Sequence, residues 1–428
     1  MLPQLEPPTN TNSTTNPDDT SWYLTESQGG VVGSMLALGS LLSALPAGYL
    51  AERFGRKSTL ISLTLPFTVN WLLIVFANGP TMLYIGRFFS GVAAGAMCVC
   101  APMYIGEIAE ASIRGALGSF FQMFICTGIL TAYVFGSIFT WRVLSLVLAM
   151  VPFIFAAAMT MMPETPIFLV KIGDKHRAKL ALQYFRGPDC DVDEELRSME
   201  ADVEKTKENT GELSKLISTR GNRKALIAGI GIMMFQQLSG INAVIFYTIP
   251  IFQSAGSNLS SNLAAIVVAV VQLVFAYVSV MVIERANRRF YLKLSAIGMA
   301  SCSAALGMYF HLKTANVTFP GLGILPVGSL VLFIVAFSMG FGPVPWMIMS
   351  ELFAPEIKEV ASGLAIMTNW MFTFVVTFSF PLMKTYLGSH VTFYIFCVIM
   401  VCGTAFVHVF VPETRGKTLK EIQTLLNK

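Results

Sequence analysis

Long apolar runs with brief polar punctuation dominate this chain. VVGSMLALGSLLSALPAGYLA (31–51) and GILTAYVFGSIFTW (128–141) contain no charged residue. About 18 or more consecutive apolar residues suffice to cross a bilayer as a helix. The pattern predicts eleven spans, at 31–50, 59–77, 82–105, 115–138, 142–162, 225–250, 261–283, 291–311, 325–350, 361–383 and 391–411. The expected fold class is an all-α polytopic membrane protein. The pattern divides the chain into a tail (1–28), a first half (29–162), a linker (163–224), a second half (225–411) and a second tail (412–428). Within the linker, DVDEELRSMEADVEKTKE mixes Glu and Lys at helical spacing, which predicts solvated helices.

Composition agrees with a membrane protein. Of 428 residues 54% are hydrophobic and 13% charged, with a mean hydropathy of +0.64. The net charge of +4 does not point to nucleic acid, because the basic residues sit in loops. Six of the seven cysteines lie in apolar segments without metal-ligand spacing, as small buried hydrophobes do. The first thirty residues are polar and rich in Pro, Asn and Thr, unlike a cleavable leader.

Lys and Arg set the orientation. With the loop ERFGRK placed inside and the chain alternating, 25 of the 29 basic residues fall in inside segments. The exceptions are Arg87, Arg142, Lys313 and Lys384. The N-terminus is then outside and the C-terminus cytoplasmic. Acceptor sequons at Asn12, Asn258 and Asn316 all fall outside on this reading, so the chain is expected to be a glycoprotein.

Three motifs recur. ERFGRK at Glu52 returns as ERANRR at Glu284. Glu107 with Arg114 returns as Glu351 with Lys358, at the same spacing. PETPIFL at Pro163 returns as PETRGKTL at Pro412. Parallel six-helix repeats of this kind are the architecture of major facilitator transporters. The second half supplies six spans and the first supplies five. The mate of span 225–250 would fall before residue 19, so the first helix of the first repeat is expected to be missing, through a truncated gene model or a late-starting isoform.

GRFFSGVAAGAMCVCAPMYIGEIAEASIRGALG, PETPIFL, QQLSGINAVIFY, GFGPVPW and VPETRGKTL resemble the signatures of the sugar porter family of the major facilitator superfamily. The resemblance covers about 20–428. Within the family it is strongest to the insect facilitated trehalose transporters and related glucose transporters.

FQQLSGINAVIFY (235–247) sets Gln236, Gln237, Ser239 and Asn242 in an apolar span. Amides donate and accept without carrying charge, which suits a ring of sugar hydroxyls. They also serve as glue between helices. In a regular helix Asn242 would point about 140° away from Gln237. A break at Gly240 would bring them together, and Pro343 and Pro345 make GFGPVPW a second candidate break. The resemblance implies a substrate site of Gln122, Gln236, Gln237, Asn242, Gln272, Trp346, Asn369 and Trp370, with Tyr247 in an outer gate. An indole plane suits the C–H face of a sugar ring. The chain departs from the glucose carriers of the family at Gln272, where Asn is frequent, and at Ser338, where Glu is frequent. The resemblance also implies inner-end salt bridges drawn from Arg53, Arg56, Arg87, Glu107, Arg114, Glu164, Glu284, Arg285, Arg288, Glu351, Lys358 and Glu413. Topology-setting charge is the alternative role for these residues.

The expected function is facilitative transport of trehalose or a hexose by alternating access, as a monomer in membrane lipid, at the plasma membrane, without cofactor, metal or enzymatic activity. The competing readings are a proton-coupled symporter, a non-transporting sugar sensor and an inactive truncated paralogue. The last is raised by the missing helix. A sensor is disfavoured by a second tail of only about sixteen residues.

Overall fold

The computed structural model describes residues 23–110, 113–187, 190–208, 215–246, 248, 261–283, 287–317, 322, 324–353, 357–415, 417 and 419–427. Among them the secondary structure is helical throughout, and eleven helices are long and apolar enough to cross a membrane. They are α1 (Glu26–Phe54), α2 (Arg56–Val75), α3 (Pro80–Ile108), α4 (Arg114–Ile138), α5 (Trp141–Met161), α6 (Arg220–Ile245), α7 (Ser261–Ile283), α8 (Arg288–Thr314), α9 (Ile324–Met349), α10 (Lys358–Leu387) and α11 (Ser389–Phe410). Each matches one expected span.

Local chemistry sets the ends. Thr25 opens α1 with a reciprocal cap: its hydroxyl accepts from the Gln28 N–H, and the Gln28 side chain accepts from the Thr25 N–H. Pro80 opens α3, where its missing N–H costs nothing. Between α1 and α2 the chain turns at Gly55, with φ 98°. A side chain there would collide with the Glu164 carboxylate, so the turn requires glycine for its backbone and for its space.

Packing follows the repeat. α1 lies on α3, α2 on α3 and α2 on α5. A shift of one repeat turns these pairs into α7 on α9, α8 on α9 and α8 on α11, and all three pack. Between the halves α1 meets α10 and α4 meets α7. The repeat exchanges these two contacts, so the halves face each other across a pseudo-two-fold axis. In the second half α6 also packs on α10 and α11. No helix among the described residues takes the matching place against α4 and α5. Only 6% of the apolar window of α4 is buried, against 44% for α10.

The contact of α1 with α3 is backbone against backbone. A Cβ on Gly91 would run into the Leu36 carbonyl, and one on Gly39 into the Phe88 carbonyl. The Ser40 hydroxyl donates across this seam to the Gly91 carbonyl at 2.9 Å. Small residues in lipid let helices approach this closely. Between α5 and α6, helices Pro166–Lys171, Lys175–Arg186 and Asp193–Glu208 pack around Leu169, Ala178, Leu182, Val192, Leu196 and Val203. This cluster docks on the bundle through Arg186, which donates to the Ile108 carbonyl at 2.8 Å and to Glu195 at 2.7 Å. The bond to Glu195 pushes the Arg186 pKa up.

Candidate functional site

One end of the bundle carries two matched charge clusters. Arg56, 1% exposed, donates through Nε to Glu107 at 2.9 Å and pairs with Glu52 at 2.5 Å. Lys171 pairs with Glu52 from the linker at 2.9 Å. Glu164 accepts the backbone N–H groups of Arg56 and Lys57, each at 3.1 Å. It therefore caps the start of α2, where the helix dipole favours negative charge. The second half repeats the arginine–glutamate pair and the capping carboxylate. Arg288 donates to Glu351 at 3.0 Å, and Glu413 accepts the N–H groups of Arg288 and Arg289 at 3.0 and 3.1 Å. The PET motifs thus place a carboxylate on a helix start. Arg114 and Lys358 occupy matching places as the first residues of α4 and α10.

Two of the expected cluster members lie elsewhere. Arg87 is the eighth residue of α3, and Glu107 is near its far end. Twenty residues at about 1.5 Å each separate them by about 30 Å. Arg87 therefore sits toward the opposite end of the bundle and takes no part in the inner cluster. Arg53 is exposed on the surface, donating to the Tyr49 hydroxyl at 3.1 Å and lying over the Phe54 ring. Glu284, Arg285, Tyr247, Asn12 and Asn258 fall outside the described residues. Asn316 is exposed just past the end of α8, with φ 57°, a conformation Asn tolerates. Glu52 and Lys171 were not among the expected members. Glu52 opens ERFGRK and could have been found there, four residues before Arg56, whereas nothing in the sequence links Lys171 to it.

The second region lies where two helices break. The first segment of α6 ends at Leu238, Gly240 takes φ 86°, and a short helix resumes over Ile241–Phe246. The turn brings Asn242 back toward Gln237, whose side-chain carbonyl accepts from the Asn242 amide. α9 breaks after Met339 and resumes at Val344. In an unbroken helix the Phe341 carbonyl would receive the N–H of residue 345, which is a proline and has none. Gln236 supplies the missing donor. Its Nε2 donates to the Phe341 carbonyl at 2.6 Å and to the Gly342 carbonyl at 3.0 Å. The freed Phe341 N–H donates to the Ser295 hydroxyl at 3.1 Å.

Asn369 on α10 ties the two glutamines together. Its Nδ2 donates to Gln236 Oε1 at 2.6 Å, and its Oδ1 accepts from Gln237 Nε2 at 3.0 Å. Asn242, Gln237, Asn369 and Gln236 thus form one chain of amides across α6 and α10, which Gln236 ties to the backbone carbonyls at the break of α9. Counting donors and acceptors separates their roles. Both amide hydrogens of Gln236 are used within the protein, and so are both of Asn369, the second donating to the Met233 carbonyl at 3.4 Å. Gln237 keeps one N–H, and Asn242 keeps one N–H and its side-chain carbonyl. Trp370 carries a buried indole N–H without a hydrogen-bond acceptor, and Ser338 a buried hydroxyl without a partner. Gln272 on α7 is 3% exposed and makes no hydrogen bond among the described residues.

The first half reaches the same level from α4. Phe121 meets the edge of Trp346 at 6.2 Å, and the adjacent Gln122 donates only to its own helix, at Cys126. Nearer the opposite end from the charge clusters, the Tyr133 hydroxyl donates to the Ile245 carbonyl at 3.1 Å, bridging the halves. Tyr133 carries no motif and was not legible as a site residue. The cysteines are all free, and no group of three metal-ligating side chains exists among the described residues.

Two helical repeats face each other across a pseudo-two-fold axis. Amide-bearing helix breaks stand at their interface and matched charge clusters at one end. Together these define a membrane transporter of the major facilitator architecture. The chain matches the family model described as "Sugar (and other) transporter" over residues 4–426, and it belongs to that family. It is 38% identical over 407 residues to a facilitated trehalose transporter of Culex quinquefasciatus, covering 94% of this chain and 78% of that protein. It is likewise 38% identical over 405 residues to a facilitated trehalose transporter of Aedes aegypti, but spans only 50% of that relative's length. Among solved structures it resembles the proton:xylose symporter XylE bound to 6-bromo-6-deoxy-D-glucose. The TM-score is 0.79 at 25% identity, with 94% of this chain and 91% of that one covered.

Proposed function

We propose that this chain is a facilitative sugar transporter that moves trehalose or a hexose by alternating access of its two halves, with its C-terminus cytoplasmic and the plasma membrane as its site. The carrying observation is the amide chain at the breaks of α6 and α9. It holds two helix fragments in place and still leaves donors and acceptors of Gln237 and Asn242 unspent. Free uncharged groups at an interface between moving halves suit a polyhydroxylated solute. Gln236 and Asn369 act as struts for the site, and Gln237, Asn242, Gln272 and Trp370 as contacts. Trp346 and Gln122 close it from the interface with the first half. The trehalose relatives support the disaccharide, and so do Gln272 and Ser338, where the glucose carriers often hold Asn and Glu. The cytoplasmic charge clusters brace each half internally. Tyr247 belongs to an outer gate, and Asn12, Asn258 and Asn316 are glycan acceptors on the outer side.

The test is uptake of labelled trehalose and glucose by vesicles carrying the chain, with and without a pH gradient. Trehalose uptake exceeding glucose uptake, unaffected by the gradient, is the expected result. Equal uptake of both sugars, or of glucose alone, removes the trehalose assignment, and a gradient-driven rise replaces uniport with proton coupling.

A further inference from the structure

A second recess, sharing no residue with the amide chain, lies between α8 and α11 among residues exposed on the surface of the bundle. It encloses about 610 Å³ between Lys293, Ile297, Ala300, Ser301 and Ala304 of α8 and Cys397, Val401, Thr404, Ala405 and His408 of α11. Five positions on each helix share the spacing i, i+4, i+7, i+8 and i+11, and Val409 adds i+12 on α11, so each set is one face of its helix. Small residues occupy the middle of both faces. At the other end of the pair, large residues close the seam: the Phe310 and Phe393 rings stack at 5.6 Å, and Tyr394 lies against Gly307. A valley is left toward the charged end of the bundle. Ile297, Val401 and Val409 along it are 52, 57 and 69% exposed, which is tenable only if lipid covers them. The Ser301 and Thr404 hydroxyls donate to the Ile297 and Met400 carbonyls of their own helices, so the wall is effectively apolar.

The mouth is basic. Lys293 is five residues into α8, about 7.5 Å from its start, and has no carboxylate within ion-pair distance among the described residues. His408 is two residues from the end of α11. Arg289 donates to the His408 carbonyl, and its Nε has no acceptor. Glu413, which caps the start of α8, is engaged by the backbone N–H groups of Arg288, Arg289 and Arg415. An apolar valley between spans with a cationic mouth at one membrane surface has the chemistry of an anionic lipid: acyl chain below, phosphate above.

We propose that the valley between α8 and α11 is a binding site for an anionic phospholipid, whose acyl chain lies along Ala300, Ala304 and Ala405 and whose headgroup sits at Lys293, Arg289 and His408. Assigning it to the cytoplasmic leaflet rests on the orientation proposed above. The binding itself does not depend on that orientation or on sugar transport, and it is measured without either.

The test is native mass spectrometry of the intact chain in detergent, titrated with phosphatidylserine or phosphatidylcholine. One phosphatidylserine should bind in preference. Lys293→Gln should weaken it about fivefold, the effect of one basic residue near a membrane surface. Ala405→Phe removes no charge and fills the valley from its exposed side, and it should weaken both lipids. Size-exclusion profiles and thermal midpoints like those of the parent establish that both variants fold. Equal affinity for the two lipids overturns the proposal, and so does an unchanged Lys293→Gln. Loss with Lys293→Gln but not with Ala405→Phe reduces the effect to surface charge and overturns the site. Cholesterol displacing phosphatidylserine from the parent chain assigns the valley to a sterol instead.

Discussion

Asn369 Nδ2 donates to Gln236 Oε1 at 2.6 Å, although the two residues are 133 positions apart. That bond fixes the carbonyl of Gln236 so that its amide faces Phe341 and Gly342. A buried amide left unpaired costs about 1–3 kcal/mol. Asn369→Leu should therefore lower stability by that order for each glutamine it orphans, read as thermal unfolding in detergent. A midpoint equal to that of the parent would mean that the amides re-pair elsewhere.

The link between Gln236 and Pro345 makes a sharper prediction. Gln236 stands in for the N–H that Pro345 lacks, so restoring the N–H should relieve the need for the glutamine. Gln236→Leu should destabilise the parent by about 1–3 kcal/mol and cost less in a Pro345→Ala background. The measurement is a double-mutant cycle on thermal or denaturant unfolding. Additive effects would show that Gln236 and Pro345 act independently.

Gln237 retains one amide hydrogen beyond those used in the amide chain. Gln237→Ala should weaken sugar binding by one or two polar contacts, each worth about 0.5–1.5 kcal/mol net. Surface expression should hold. Sugar affinity, measured by calorimetry or competition, that does not change on this substitution would leave Gln237 as a strut between helices.

Much of this architecture was readable from residues alone, because the bilayer leaves few alternatives. Eleven apolar runs became eleven helices, and the recurring motifs contained many of the charged residues that meet at one end, without naming which would pair. Glu107 with Arg56 and Glu351 with Arg288 arise from one repeated pattern. The break at Gly240 followed from the impossibility of placing Gln237 and Asn242 on one straight face. What was hidden is the division of labour among the amides. It depends on which carbonyl Pro345 leaves unpaired and on how α10 is rotated, and neither is local in sequence. Arg87 was misplaced. The resemblance assigns it to the inner cluster, although the charge count leaves it outside the inner segments, and it lies toward the opposite end of α3 from Glu107.

The matched clusters predict matched consequences. Arg56 is buried and bonded to Glu107 and Glu52; Glu52 keeps Lys171, so Arg56→Leu leaves the largely buried Glu107 carboxylate without its arginine. Breaking a buried pair in this way costs about 3–5 kcal/mol. Arg288, with Glu351 as partner, is 10% exposed, and Arg288→Leu should cost a similar amount. Replacing both members, as in Arg56→Leu with Glu107→Leu, should recover part of the loss, because no buried charge is then left alone. Protein yield and thermal midpoint are the readouts. A double variant worse than Arg56→Leu alone would contradict this account.

The bond from the Tyr133 hydroxyl to the Ile245 carbonyl predicts a change in conformational balance rather than in folding. It joins α4 of one half to the short helix that follows the break in α6 of the other, at the end opposite the charge clusters. Motion that opens that end must break it, while the bonds within each cluster can persist. Tyr133→Phe keeps the ring and removes only the donor. The closed arrangement at this end should lose about 0.5–1.5 kcal/mol, a roughly two- to twelvefold shift toward opening. Hydrogen exchange followed by mass spectrometry should then show faster exchange over 241–246 and the end of α4, with the α1–α3 seam unchanged. Equal exchange in both forms would mean that the halves are held together there by packing alone.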